Sequence, residues 1–161
     1  MAKKKKEDLL IEIKEEIKKN TGKTRQEEIK LSLEPDPLLE KSAGANAAVV
    51  ELTVRLIDWI IPVLNNFPRS QRFLLSDKIE MLLLEVLDRL IRAVYAKRNK
   101  VSHLWDANVN LQIVRSLLRL ALMRKYITHK RYFYAVTQLI EIGKMTGGWI
   151  NSLDKKSTVK R

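Results

Sequence analysis

Residues 103–126, HLWDANVNLQIVRSLLRLALMRKY, decide the fold class of this chain. Apolar side chains recur in them at intervals of three and four residues, which is the spacing of one face of an α-helix. The predicted core face consists of Leu104, Ala107, Leu111, Val114, Leu118 and Ala121. The stretch shows no sustained period-two alternation, so it is typical of a long helix and not of a strand.

Three further segments from residue 48 onward carry the same periodicity. The first runs from Ala48 to about Phe67, the second from Ser70 to about Lys97, and the last from Thr128 to about Leu153. Short loops between long helices make successive helices antiparallel. The sequence therefore predicts an all-α protein that folds as an up-down-up-down four-helix bundle.

Three residues set the expected helix boundaries. Pro62 should kink the first helix or end it near Ile61, because proline lacks a backbone N–H donor. Ser102 and Thr128 are candidate N-caps for the third and fourth helices, because their hydroxyls can accept a backbone hydrogen bond.

The regions on either side of the bundle differ from it. Residues 1–47 are predicted to form a charged arm, with a short amphipathic helix around Leu9, Leu10, Ile13 and Ile17. Residues 48–153 form the predicted bundle, and residues 154–161 a basic C-terminal tail. The arm is rich in charge and poor in apolar residues after Ile17, which favours a flexible or docking segment.

Composition excludes several classes of protein. The 161 residues contain no cysteine, so disulfides and thiolate chemistry are impossible. No segment approaches the roughly 20 apolar residues of a membrane span, and the lysine-rich start lacks the apolar segment of a signal peptide. We therefore expect a soluble, cytoplasmic protein with no membrane partner.

No motif indicates catalysis. Gly22-Lys23-Thr24 lacks the earlier glycine and the preceding strand of a phosphate-binding loop. His103 and His129 each follow a loop, with no second ligand at metal-binding spacing. We expect a protein that is not an enzyme and needs no cofactor, metal or small-molecule substrate.

Charge is the strongest functional signal in the sequence. The net charge is +12, and residues 89–131 hold eleven basic side chains against Asp106 alone. The eleven are Arg89, Arg92, Lys97, Arg98, Lys100, Arg115, Arg119, Arg124, Lys125, Lys130 and Arg131. A folded segment of one sign repels itself unless a polyanion neutralises it, which favours nucleic acid as the partner. A solvated basic surface, an acidic protein and a membrane surface are the alternatives.

A polar ridge on the third helix could contribute to such binding. Asn108, Gln112, Arg115 and Arg119 follow one another at spacings of four, three and four, so they share one side of the helix. Arginines and amides suit contacts to phosphates or base edges. An ordinary solvent face and a polar seam between subunits remain open as alternatives.

Gly143, Gly147 and Trp149 suggest a subunit interface on the fourth helix. Each glycine costs about 1 kcal/mol relative to alanine within a helix, so a close packing contact is expected. Tryptophan is a favoured interface anchor. Packing within the monomer core is an equally open interpretation of the three residues.

A turn motif is similar to one in the four-helix-bundle proteins encoded by intervening sequences of bacterial 23S ribosomal RNA genes. It comprises Phe67-Pro68-Arg69-Ser70-Gln71-Arg72-Phe73, Leu75-Ser76-Asp77 and Ile79. Within that superfamily, residues 48–153 resemble the accessory variability determinant proteins of diversity-generating retroelements. The matching residues are Pro62, Lys100-Val101-Ser102-His103-Leu104, Asp106-Ala107, Leu117-Leu118-Arg119-Leu120-Ala121 and Glu141-Ile142-Gly143-Lys144-Met145-Thr146-Gly147-Gly148-Trp149-Ile150. An Asn-Ile-Ala-Glu-Gly stretch typical of the ribosomal branch is absent, and Trp149 favours the retroelement branch.

The resemblance implies a barrel-shaped homopentamer that engages a reverse transcriptase and its template RNA, and possibly DNA. In that role the protein supports mutagenic cDNA synthesis, and the chemistry belongs to the polymerase. Two alternatives stand beside it. One is a ribosomal-intron-type bundle that binds structured RNA without a polymerase, and the other is a purely structural basic oligomer.

Overall fold

The computed structural model describes residues 37–158, which form five α-helices and no strand. The helices are α1 (Pro37–Ala43), α2 (Ala47–Leu64), α3 (Asp77–Tyr95), α4 (Lys100–Met123) and α5 (His129–Thr158). The predicted N-terminal amphipathic helix, the Gly22-Lys23-Thr24 motif and residues 159–161 lie outside the described residues. The prediction of an all-helical fold is confirmed.

The four long helices pack in a closed cycle. Each of α2, α3 and α4 contacts the next helix in the chain, and α2 also contacts α5. The six core positions predicted for the third helix are all buried: Leu104, Ala107, Leu111, Val114, Leu118 and Ala121. The apolar periodicity of this segment thus identified the side of α4 that faces the core.

Of the two outcomes predicted for Pro62, a kink or an end of the helix near Ile61, the second is wrong. Helix α2 continues past Pro62 to Leu64, and the Asn65 N–H still donates to the Ile61 carbonyl at 3.0 Å. Pro62 lies in the last turn, so its missing N–H affects only the carbonyl of the exposed Asp58, which water can solvate. Asn66 Nδ2 donates to the Pro62 carbonyl at 2.7 Å and closes the end of the helix.

The two predicted caps have opposite outcomes. Ser102 lies inside α4, which begins at Lys100 after Asn99, a residue in the left-handed region at φ 62°. Asparagine adopts this conformation more readily than most residues, so it can set the start of the helix three residues early. The capping prediction for Thr128 is confirmed, because its Oγ1 accepts from the Arg131 N–H at 3.4 Å.

The turn between α2 and α3 replaces the first part of the predicted second helix. A short helical turn (Arg69–Gln71) leads into a π-helical turn (Arg72–Ser76) before α3 begins. Ser76 Oγ donates to the Leu64 carbonyl at 3.2 Å, and Arg72 Nη2 donates to the Asn65 carbonyl at 2.7 Å. These bonds tie the turn to the end of α2, so much of the quoted turn motif has a structural role.

Helix α1 belongs with the bundle. The compact unit begins at Pro37, and Leu39 is buried in the same core cluster as the long helices. The last eleven residues of the predicted arm therefore form α1 and the start of α2. At the other end, α5 extends through residues 154–158, where a separate tail was expected. Within residues 37–158, no helix is both long and apolar enough to cross a membrane.

Candidate nucleic-acid interface

Two turns of the chain meet at one end of the bundle. The α2–α3 turn and the α4–α5 turn are brought together by the rings of Phe67 and Tyr126, whose centroids are 5.8 Å apart. Phe67 is buried and Tyr126 half-buried, so this contact anchors both turns to the core. Surface residues that are some 50 positions apart in sequence thereby become neighbours.

This end of the bundle carries a concentration of positive charge, with Asp77 at the start of α3 as the nearest carboxylate in sequence. We define the basic end as residues 65–76 and 119–131, which contain seven basic side chains and no carboxylate. All seven are exposed: Arg69, Arg72, Arg119, Arg124, Lys125, Lys130 and Arg131. Five of them belong to the set predicted from the sequence, and the fold brings those five together.

Arg69 and Arg72 are functional candidates that the sequence reasoning missed. They lie outside the 89–131 window, so a charge count along the chain separates them from the others. The predicted up-down topology could have identified these two arginines, because the first and third turns of such a bundle lie at the same end.

The backbone of the α4–α5 turn fixes the position of Lys125. The Tyr126 N–H donates to the Ala121 carbonyl and the Lys125 N–H to the Leu122 carbonyl, each at 2.9 Å. These two bonds form a Schellman motif, whose key residue is usually glycine because it must be left-handed. Lys125 occupies that position at φ 59°. The turn therefore holds a charged side chain at the basic end at a conformational cost.

Helix α5 adds a further electrostatic cost. Its first turn contains His129, Lys130 and Arg131 and no acidic residue. The N-terminus of a helix carries partial positive charge, so cations there are unfavourable and anions are favourable. A bound phosphate would relieve both the dipole and the repulsion among the cations.

Three of the predicted cations lie at the opposite end of the bundle. Lys97 and Arg98 are exposed in the α3–α4 loop, and Lys100 Nζ donates to the Val94 carbonyl at 3.1 Å. Helix α4, which separates the two ends, has 24 residues and is about 36 Å long. The structure therefore does not bring these three residues together with the basic end.

Arg89 and Arg92 already have carboxylate partners. Arg92 Nε contacts Asp88 Oδ2 at 2.7 Å, and Arg89 Nη1 lies 3.5 Å from Asp106 Oδ2. The hydrogen bond from Arg92 lowers the pKa of Asp88 below its ordinary value. Both pairs are solvent-exposed, so each holds its arginine only weakly.

The predicted polar ridge borders a groove between α4 and α5. The groove has a volume of about 430 Å³, and Asn108, Gln112 and Arg115 of the ridge line its α4 side. Trp105 lines it on the same helix, and Ile140, Gly143 and Lys144 line it from α5. The ridge is therefore one wall of a concave surface.

The predicted interface residues on α5 divide into two groups. Trp149 is 6% exposed and belongs to the monomer core, which does not fit the prediction of an interface anchor. A Cβ added to Gly143 would meet only Asn108 Oδ1 at 3.9 Å, and one added to Gly147 would meet nothing within 4 Å. Packing within the described chain therefore requires neither glycine. The buried stripe of α5 runs through Ala135, Leu139, Ile142, Thr146 and Trp149, beside the two glycines.

The two histidines lie near the starts of α4 and α5, toward opposite ends of the bundle. His103 Nδ1 lies 3.5 Å from Arg89 Nη1, and His129 is the exposed first residue of α5. Within residues 37–158, no group of three or more histidine, aspartate or glutamate side chains could hold a metal ion.

Comparison with known proteins supports the resemblance seen in the sequence. The family model described as bAvd-like matches residues 48–153. A solved structure from Bacteroides thetaiotaomicron, a protein of unknown function from the S23 ribosomal protein family, superimposes with a TM-score of 0.61. It is 19% identical and covers 66% of this chain and 97% of its own, so it supports the fold alone. A search of curated protein sequences finds no match for this chain.

Proposed function

The chain belongs to the bAvd-like family of accessory variability determinant proteins, and from that premise we propose that it is a non-catalytic accessory subunit of a diversity-generating retroelement. In this role it binds the element's reverse transcriptase and its template RNA, and supports mutagenic cDNA synthesis. The polymerase supplies the chemistry, and this chain supplies a binding surface.

The basic end is the observation that carries the proposal. Seven exposed cations with no carboxylate among them create a positive potential that a phosphate backbone neutralises. The charges come from two turns and the helix ends beside them, so they form a surface and not a linear segment. Phosphate contacts of this kind position a nucleic acid without selecting its sequence.

The proposal includes assembly into a ring of five subunits. Helices α3 and α4 carry exposed apolar side chains that the monomer leaves uncovered. We call these the outer apolar face: Met81, Leu84 and Ile91 on α3 and Ile113 and Leu120 on α4. Exposed apolar side chains on adjacent helices favour a protein–protein contact, here on either side of a polar seam in which Asn110 donates to Glu85 and Arg89 lies beside Asp106. This face replaces Trp149 as the candidate interface between subunits.

A salt series with a charge-neutralised variant tests the proposal. Arg124, Lys125, Lys130 and Arg131 are replaced by glutamine, and RNA binding is followed by fluorescence anisotropy. If the wild type makes about four phosphate contacts, log affinity should fall against log salt with a slope of about −3, and the variant should show a flatter slope. The matched control replaces Lys97 and Arg98, at the opposite end, and should change the slope little.

Retention of the polymerase is measured in the same experiment series. The reverse transcriptase of the proposed retroelement should be retained on the immobilised wild-type protein. RNA binding without retention would favour the ribosomal-intron-type alternative. No RNA binding even at low salt would contradict the proposal and leave a structural oligomer.

A further inference from the structure

The α4–α5 groove combines an exposed aromatic ring with cationic and amide side chains. The positive charge of the basic end does not explain this combination. Trp105 at one end of its α4 wall is 57% exposed, although tryptophan is usually well buried. Arg115 and Lys144 place a cation on each wall, Asn108 and Gln112 add amides, and no carboxylate lines the groove.

Beyond the residues that line the groove, the same sides of α4 and α5 carry two further residues toward the basic end. Arg119 lies one turn beyond Arg115 on α4, and Phe133 lies two turns before Ile140 on α5. Because α4 and α5 are antiparallel neighbours, these two residues extend opposite walls in the same direction. Phe133 is 64% exposed. The extended groove therefore has an uncovered aromatic ring near each end and cations between them.

We infer that this extended groove binds an unpaired nucleic-acid strand, with bases stacked on Trp105 and Phe133 and phosphates on Arg115, Arg119 and Lys144. Proteins that bind single strands combine a positive groove with aromatic stacking platforms, and this is the combination observed. A double helix keeps its bases stacked on each other, so it cannot use exposed rings in this way. The inference rests on the proposed nucleic-acid binding and specifies the form of the strand.

The dimensions agree with a short strand. Trp105 and Arg119 are fourteen residues apart on α4, which corresponds to about 21 Å. At about 3.4 Å for each stacked nucleotide, this length accommodates about six nucleotides. The groove leads to the basic end, where a longer strand would meet Arg124, Lys125, Lys130 and Arg131.

The test compares single-stranded and duplex RNA of equal length. Wild-type protein should bind an oligouridine of about twelve nucleotides, a length within the range of known single-strand sites. Trp105→Ala and Phe133→Ala should each weaken that binding roughly five- to 150-fold, the range for loss of one stacked base, and leave duplex binding unchanged. Trp105→Phe, which retains a stacking face, should preserve most of the affinity. Tyr95→Ala removes an exposed ring from α3 and is the matched control.

The outcomes separate this inference from the proposed function. If wild type binds both RNAs and the aromatic variants bind like wild type, the groove is not a stacking site, and binding through the basic end still stands. If Trp105→Ala changes the native mass and not the strand affinity, the groove is a contact between copies and the inference is wrong. If wild type binds neither RNA, the inference and the proposed function both fail.

Discussion

Lys125 places a positive charge at the basic end in a backbone conformation that lowers the stability of the fold. It occupies the left-handed position of the Schellman motif after α4, at φ 59°, where glycine is the usual residue. A left-handed conformation costs a residue with a Cβ about 1–2 kcal/mol. Strain of this size at an exposed cation of the basic end agrees with a functional requirement for the ammonium group.

Lys125→Gly should therefore stabilise the protein and weaken its binding to RNA. The free energy of unfolding should rise by about 1 kcal/mol. The rise is smaller than the relieved strain because glycine also gives the unfolded chain greater freedom. In a chain of this length, the midpoint of thermal unfolding should rise by about 2–4 °C.

Two controls separate backbone from charge in this prediction. Lys125→Gln removes the charge and keeps the Cβ, so it should weaken RNA binding without relieving the strain of the left-handed backbone conformation. Arg124→Gly, at φ −82°, should destabilise the protein by roughly 0.5–1 kcal/mol. A fall in thermal stability for Lys125→Gly would contradict this account.

At the scale of the element, α5 has an apolar pattern that leaves its orientation about its own axis ambiguous. The apolar spacing of the sequence predicts a core stripe of Tyr132, Val136, Leu139, Gly143, Gly147 and Ile150. In the structure the stripe is Ala135, Leu139, Ile142 and Thr146, which is rotated toward the preceding residue. Leu139 belongs to both stripes, so the helix is turned by only part of the roughly 100° that separates consecutive residues. This rotation places the glycines at the edge of the core and exposes one side of Gly143 to the groove.

Gly147→Ala distinguishes the two roles that remain for that glycine. An added Cβ meets nothing within 4 Å, so the substitution should stabilise α5 by about 1 kcal/mol in the isolated chain. If a neighbouring subunit packs its backbone against this position, the same substitution should weaken that contact and lower the mass of the native assembly. Chemical denaturation and native mass spectrometry together give both quantities.

Gly143→Ala is the companion variant. Its Cβ would lie 3.9 Å from Asn108 Oδ1, an ordinary contact, so a similar gain in stability is expected. Loss of stability in either variant, without any change in mass, would mean that the helix packs more tightly here than the described distances indicate.

At the scale of the whole molecule, two surfaces have different characters. The basic end and the extended groove are cationic, whereas the outer apolar face on α3 and α4 is uncharged at five exposed positions. Leu120 belongs to both surfaces, so the outer apolar face adjoins the basic end, and one chain can bind a polyanion and another protein at neighbouring surfaces. A ring built through the outer apolar face would present several copies of the basic end.

Assembly through the outer apolar face gives a measurable mass. Native mass spectrometry should report about five times 18.7 kDa for the wild-type protein. Leu84→Glu and Ile113→Glu together place charges on that face and should yield smaller species that remain helical, because both side chains are exposed in the monomer.

Val54→Glu is the matched control for the assembly prediction. Val54 is an exposed apolar residue of α2, outside the outer apolar face, so its substitution should leave the mass unchanged. A wild-type protein that is monomeric at micromolar concentration would contradict the ring. Dissociation caused by Val54→Glu alone would place the interface on α2.

The sequence by itself determined the helical class, the buried side of α4 and the family resemblance. Helical periodicity is a local property, so Leu104, Leu111 and Leu118 show their shared orientation without knowledge of any other helix. The Thr128 cap was predictable for the same reason, since its bond reaches only three residues. The predicted end of the helix at Pro62 was wrong because the free-energy cost of a proline depends on how much of the helix follows it.

Only the tertiary structure decided how the charges are grouped. Packing of Phe67 against Tyr126 joins Arg69 and Arg72 to cations some 50 residues further along the chain, and it leaves Lys97 and Arg98 at the far end. Tertiary packing also selected the orientation of α5 about its axis, which buried Trp149 and opened the groove beside Gly143. These outcomes depend on which apolar faces meet, and a local pattern does not specify its partner.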